Sequence, residues 1–337
     1  MKSLLPILVL FVLTGCVEPF MFDSGDGDEL LVIFGSVTPG NSASTLRITR
    51  TSAFGTGNLR TIDNAQVTLF DDQDASEAYV PLGNGRYRMN KNDIEVVAGR
   101  TYHIEVELNG NTYRSEPAVM PARVPADSTY FRVEEDILED EDGLRREVFF
   151  IKLFVDTPVN LEQTSFLRWT MDEMFQVVLS PCPIETCCVC YYEPREINTS
   201  FILFDGSGTG TQQISGLELM RKQPLPHYEY QIRHYFNVYQ HILTEDALRY
   251  WERIDIINNQ EGTIFDPIPA SIPGNISNVD NANEQVLGYF QVMDIDTVRT
   301  FATRSRLLPH QVLLERSLEP CPGFDSTVWD RPSYWGE

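Results

Sequence analysis

Hydrophobic residues recur along this chain with two different periods. Between Leu30 and Pro121 they fall in short alternating or apolar runs: LLVIFGSV (30–37), TLRITR (45–50), AQVTLF (65–70), GRYRM (85–89), TYHIEVEL (101–108) and NTYRS (111–115). Turn signals separate them, at Pro39-Gly40-Asn41, Gly55-Thr56-Gly57, Gly83-Asn84-Gly85 and Asn109-Gly110-Asn111. A period of two puts successive side chains on opposite faces of a strand, and glycine and asparagine accept the positive φ of a tight hairpin. No run here sustains the helical period, so residues 30–121 are expected to form an antiparallel β-sandwich of immunoglobulin-like or carboxypeptidase-regulatory-like type.

The second region is also rich in strand signals. PAVMPARVPAD (117–127) carries three prolines and reads as a stiff connection, with 122–127 as the linker proper and 128–337 as a second β-rich domain. REVFFIKLFVD (146–156) puts Phe149, Ile151, Leu153 and Val155 on one face, after a turn at Asp142-Gly143. YQIRHYFNVYQHI (230–242) also alternates, with Tyr230, Ile232, His234, Phe236 and Val238 together. His234 and His241 are seven residues apart and so face opposite sides of that strand, which keeps them from sharing a metal.

One segment switches to the helical period. Thr244 suits an N-cap, Glu245 and Asp246 suit the positive end of a helix dipole, and Ala247, Tyr250, Trp251, Ile254 and Ile257 form an apolar stripe. Asn258-Asn259 and Gly262 then stop the helix. The fold class predicted is mainly β with one prominent helix.

The N-terminus changes the picture of location. Lys2 is followed by an apolar run from Leu4 to Leu13, too short to span about 30 Å of hydrocarbon as a helix, which predicts a signal peptide over 1–15. Leu13-Thr14-Gly15-Cys16 resembles the bacterial lipobox, so Cys16 is expected to be lipidated. Residues 16–29 are acidic and glycine-rich and predict a flexible tether. With a formal charge of −23 the chain repels phosphate backbones, which argues against nucleic acid as a partner.

Candidate chemistry is sparse. PCPIETCCVC (181–190) gathers Cys182, Cys187, Cys188 and Cys190, but adjacent cysteines suit a metal or cluster site badly, and an exported chain favours oxidation. These four and Cys321 are disulfide candidates, and a bridge from the cluster to Cys321 would staple the chain end to the domain. FDGSGTG (204–210) has neither the spacing of a nucleophile elbow nor that of a phosphate loop. No catalytic residue, metal or cofactor is expected.

The stretch 250–301 carries a further signal. Tyr250-Trp251, Gly262, Phe265-Asp266-Pro267, Pro269, Ile272, Gly274-Asn275-Ile276, Val286-Leu287-Gly288-Tyr289-Phe290 and Arg299 resemble a family of Bacteroidota lipoproteins known as domain of unknown function 4249. The lipobox, the sandwich, the mid-chain cysteines and the aromatic ending are similar to that family as well, although this chain has one C-terminal cysteine where the family has two. Within the motif the prolines predict an extended segment and Gly274-Asn275 a turn, so Tyr250, Trp251, Asp266, Pro267, Gly274, Asn275, Gly288, Tyr289 and Phe290 read first as architecture. The acidic residues after Cys16 resemble the surface-export signal of such lipoproteins. The resemblance implies an outer-membrane lipoprotein facing the cell exterior, an accessory partner of a TonB-dependent β-barrel receptor. An extracellular hydrolase of polysaccharide or peptide, and a structural adhesin or envelope component, are the alternatives.

Overall fold

The computed structural model describes residues 29–40, 42–51, 60–139, 143–159, 165–178, 189–192, 200–207, 213–222, 228–230, 232–259, 272–307, 327–328 and 331–336. The chain is mainly β. The first nine strands are β1 (Leu31–Val37), β2 (Thr45–Arg50), β3 (Arg60–Thr61), β4 (Gln66–Asp71), β5 (Ser76–Gly83), β6 (Arg86–Met89), β7 (Thr101–Leu108), β8 (Asn111–Ser115) and β9 (Ala118–Val119). Their alternation is that of the sequence: Tyr102, Ile104 and Val106 of β7 are fully buried, while the residues between them are only partly so. Asn109 and Gly110, both at positive φ, close the two-residue turn from β7 into β8, the geometry that suits the twist of flanking strands.

The next elements are β10 (Ser128–Glu139), β11 (Arg145–Pro158), β12 (Phe166–Val178), β13 (Val189–Tyr192), β14 (Ile202–Asp205), β15 (Gln213–Lys222), a 3-10 turn (Tyr228–Tyr230), β16 (His234–Leu243) and helix α1 (Glu245–Asn258). They are followed by β17 (Ile276–Asn278), β18 (Val286–Leu287), β19 (Phe290–Val292), β20 (Asp294–Ala302) and β21 (Thr327–Val328). A three-stranded sheet, β10-β11-β15, packs on a six-stranded one, β20-β16-β12-β13-β21 with β14 also on β12. Between them lie Ile151, Leu153 and Val155 of β11, Leu167 and Trp169 of β12, and Phe236, Val238 and Ile242 of β16. Gln240 sits fully buried in this core with its polar atoms engaged. Its Oε1 accepts from Thr157 Oγ1 at 2.6 Å and from Trp169 Nε1 at 2.9 Å, and its Nε2 donates to the Val124 carbonyl at 2.6 Å.

Residues 276–292, placed by the sequence reading within the second region, pair instead with the first. β17 adds antiparallel to β8, whereas β18 and β19 add parallel to β1, so the returning chain covers both ends of the sandwich's strand order. Exposed edges invite pairing with other chains, and here the molecule's own strands occupy them. The 122–127 segment is held as well: Arg123 pairs with Asp296 at 2.6 Å, and the Ala126 amide donates to the same carboxylate at 2.9 Å.

Helix α1 fastens the two regions together. The Thr244 side chain accepts from the Ala247 amide, capping it as its sequence suggests, and Ala247, Leu248 and Tyr250 are buried. Leu248, which the sequence stripe omits, packs with them against Leu243, Tyr289 and Met293, while Trp251 and Ile254 reach Phe34 of the sandwich and Phe166 and Leu203 of the second unit.

Candidate functional site

β12 and β16 run antiparallel from Phe166 opposite Leu243 to Phe175 opposite His234. Their pleat sends alternate side chains to opposite faces, so each face of the six-stranded sheet collects its own chemistry. The inner face ends in an ionic cluster drawn from three strands and a turn. His234 is 0% exposed, and its Nε2 lies 2.7 Å from Glu173 Oε2, with Nδ1 3.7 Å from Glu229 Oε2. Lys222, the last residue of β15, places Nζ 2.7 Å from Glu173 and 3.3 Å from Glu229. Tyr230 and Phe175 stack on the imidazole with ring centroids 4.5 and 5.6 Å away.

Electrostatics follow from this crowding. Burial works to raise the Glu173 carboxyl, but the hydrogen bond and charge of His234, together with the Lys222 ammonium, prevail and hold it at about 2. Burial alone would lower the Lys222 ammonium; the carboxylates of Glu173 and Glu229 prevail and raise it. Burial, reinforced by the two carboxylates, pushes the Tyr230 phenol well above its ordinary value. Glu173, Glu229 and His234 offer three ligand atoms within 4.8 Å of one another, a carboxylate–imidazole set of the kind that suits a divalent metal. Lys222, however, already lies against both carboxylates in the position of their cation. A metal would have to displace that ammonium, so the cluster already supplies a cation of its own.

The sequence reading misses three members of this cluster, Glu173, Lys222 and Glu229. One signal was there: Glu173 falls in the same phase of β12 as Trp169, Met171 and Phe175, a carboxylate on an otherwise apolar face. The reading also extends the strand of His234 too far back. Tyr230 belongs to the 3-10 turn and Ile232 is exposed, because the chain turns at this point to bring Glu229 against Lys222 and His234, and Tyr230 reaches the imidazole from that turn. His234 and His241 do lie on opposite faces.

The outer face is a ladder of four rungs. Arg168, His241 and Ile295 are register partners across β12, β16 and β20, followed by Thr170, Tyr239 and Thr297, then Asp172, Asn237 and Arg299, then Met174, Tyr235 and Phe301. The third rung is tied together and to the second: Asp172 accepts from Asn237 at 2.5 Å and from Tyr239 of the second rung at 2.6 Å, while Arg299 donates to Asn237 at 3.0 Å. Tyr334 covers one end, its ring 4.4 Å from the Arg299 guanidinium, beside a cavity of about 300 Å³ lined by Tyr235, Arg299, Phe301 and Tyr334. At the other end α1 lays Trp251 over Arg168, 3.7 Å from guanidinium carbon to ring centre.

The motif residues meet at the junction of the two regions. Asn275 pairs with the backbone of Phe290 in both directions, donating to its carbonyl and accepting from its amide, each at 2.9 Å. Gly288 has φ of +96°, and a Cβ there would stand 2.1 Å from the Ile33 carbonyl; one on Gly274 would stand 1.8 Å from the Gly288 carbonyl. Three backbone segments thus stack where only glycine fits. Tyr250 packs on Tyr289 at 4.6 Å, and Trp251 Nε1 donates to Gln291 at 2.8 Å. Asp266, Pro267, Cys16, Cys182, Cys187, Cys188 and Cys321 lie outside the described residues, as do the signal peptide and nearly all of the tether. Cys190 is described only by its backbone, in β13 opposite Val177. β21, six residues after Cys321, pairs with β13 beside it.

The geometry defines a two-unit β protein, a sandwich completed by its own returning strands and fixed through one helix to a second pair of sheets. The chain belongs to the family described as a domain of unknown function (DUF4249), whose family model matches residues 17–299. The match begins at the residue after Cys16 and ends at Arg299. No curated protein matches the chain significantly.

Proposed function

We propose that this protein is a surface-exposed outer-membrane lipoprotein, anchored through Cys16, that serves without enzymatic activity as an accessory partner of a TonB-dependent β-barrel receptor, in nutrient uptake or envelope assembly. The observation that carries this reading is the β10–β11 arm. β15 pairs with β11 only from Ile151 to Pro158, so residues 134–139 and 145–150 continue as a two-stranded ribbon. Among the described strands none is added to either side of that ribbon, and Ile137 and Leu144 are 49% and 60% exposed. Ribbons of two strands are marginal alone and readily add a further strand from a partner. Lys152 with Glu134 at 2.9 Å and Arg221 with Asp136 at 2.7 Å brace the base of this one. The lipobox supports the anchor, and the family match starting at residue 17 supports a mature body that begins at the tether. A tether of about 13 residues reaches several tens of Å at about 3.3 to 3.6 Å per residue, and sharing one membrane raises the effective concentration of both partners.

The test is a gentle detergent pulldown from the native membrane with mass spectrometry, beside a hydrolase screen. A β-barrel receptor should be recovered with the wild-type chain and lost with Ile137→Asp plus Leu144→Asp, while Cys16→Ser should move the protein to soluble fractions. Recovery of the protein alone, with turnover of a glycan or peptide, would favour the hydrolase instead.

A further inference from the structure

We infer that the outer face of the six-stranded sheet holds a site for a small monocarboxylate, bound by Arg168 and His241 in front of Trp251. Arg168 is 5% exposed, yet among the described residues it makes no ion pair, and its buried Nε has no hydrogen-bond partner. A guanidinium removed from water without a counter-ion is costly, and the face of Trp251 recovers only part of that cost. On the neighbouring strand its register partner His241, 8% exposed, likewise has a buried Nδ1 without a partner. His241 Nε2 lies 2.8 Å from Thr170 Oγ1. With the hydroxyl donating to Nε2, the imidazole carries its proton on Nδ1, and one rung of the ladder holds two buried N–H donors without partners, one on each strand.

The shape of these donors selects the ligand. Trp251 takes one face of the planar guanidinium and leaves its edge, the fork that matches two carboxylate oxygens. Burial, then the charge of Arg168, drives the His241 pKa well below its ordinary value, so the pair carries one positive charge and suits a monoanion better than phosphate. The nearest carboxylate on the ladder, Asp172, is occupied by Asn237 and Tyr239 and does not reach across to neutralise Arg168. Trp251 is flanked by Phe201, with ring centres 5.1 Å apart, and Ile295 completes the rung, so the body beyond the carboxylate should be apolar or aromatic. This site is independent of any receptor.

Benzoate and acetate, titrated into the full chain in chloride-free buffer and followed by calorimetry, test it. Benzoate should bind at one site per chain, benzamide and inorganic phosphate should not, and Arg168→Met should weaken benzoate by about ten- to a hundredfold, the range of a hydrogen bond to a charged group. Equal binding of benzamide, binding of phosphate as tight as that of benzoate, undiminished affinity in Arg168→Met, or no binding of either carboxylate would each overturn the assignment. Should that variant fail to fold, the benzoate–benzamide comparison on the unaltered protein decides alone.

Discussion

The two faces of the six-stranded sheet treat buried charge in opposite ways. On the inner face Glu173 and Glu229 are met by Lys222 and by the imidazole of His234, so every charge has a partner within about a hydrogen bond's reach. On the outer face the described residues give Arg168 an aromatic ring and a neutral imidazole and no carboxylate. The same two strands, one residue out of phase, contribute to both, with Lys222 and Glu229 joining the inner face from β15 and the 3-10 turn. A buried cluster that closes its own charges is architecture whatever its residue types suggest, and a buried charge left open is where an external group is wanted.

Removing one member should break the closed cluster most severely. Glu173→Ala strands Lys222 beside a single carboxylate and leaves His234 Nε2 unpaired, and should cost about 3 to 5 kcal/mol in equilibrium urea unfolding. A loss under about 1 kcal/mol would mean that solvent screens the cluster after all. Acid should open it more gradually. The folded Glu173 carboxyl titrates at about 2 against 4.5 ordinarily, so its contribution is whole above about pH 4.5 and is shed as pH falls toward 2. Glu173→Gln should flatten that limb of a stability profile.

The outer pair should respond in a different window. His241 is held neutral, with its pKa depressed, so the unfolded chain binds the extra proton and stability falls as pH drops below about 6.5, by up to about 1.4 kcal/mol per unit. His241→Gln should remove the slope between pH 6.5 and 5 while leaving the lower limb in place; an unchanged slope would assign it elsewhere. The smallest effect is expected for Arg168→Met. It deletes a charge that no described residue neutralises, so without ligand the variant should melt within about 1 kcal/mol of the parent, or above it. A loss comparable to that of Glu173→Ala would show that Arg168 has a structural partner.

Much of this architecture is local and therefore legible in the residues alone. Strand phase in TYHIEVEL and REVFFIKLFVD, the Asn109-Gly110 hairpin, the Thr244 cap and the helix stripe depend on neighbours within a few positions, and there the chain's own chemistry dictates the result. The family motif was visible too, as glycines, prolines and aromatics in a recognisable order. What those residues do was not visible. Gly288 is required by the Ile33 carbonyl, more than 250 positions earlier, and Asn275 by the backbone of Phe290. The return of β17–β19 to the sandwich, and the meeting of Glu173 with Glu229 and His234, were likewise decided only in the tertiary structure. A period of two tells which face a side chain takes, but it carries no information about which distant strand will lie beside it. That choice is made by pairing register and by the packing of whole faces, terms that exist only when the sheets are assembled.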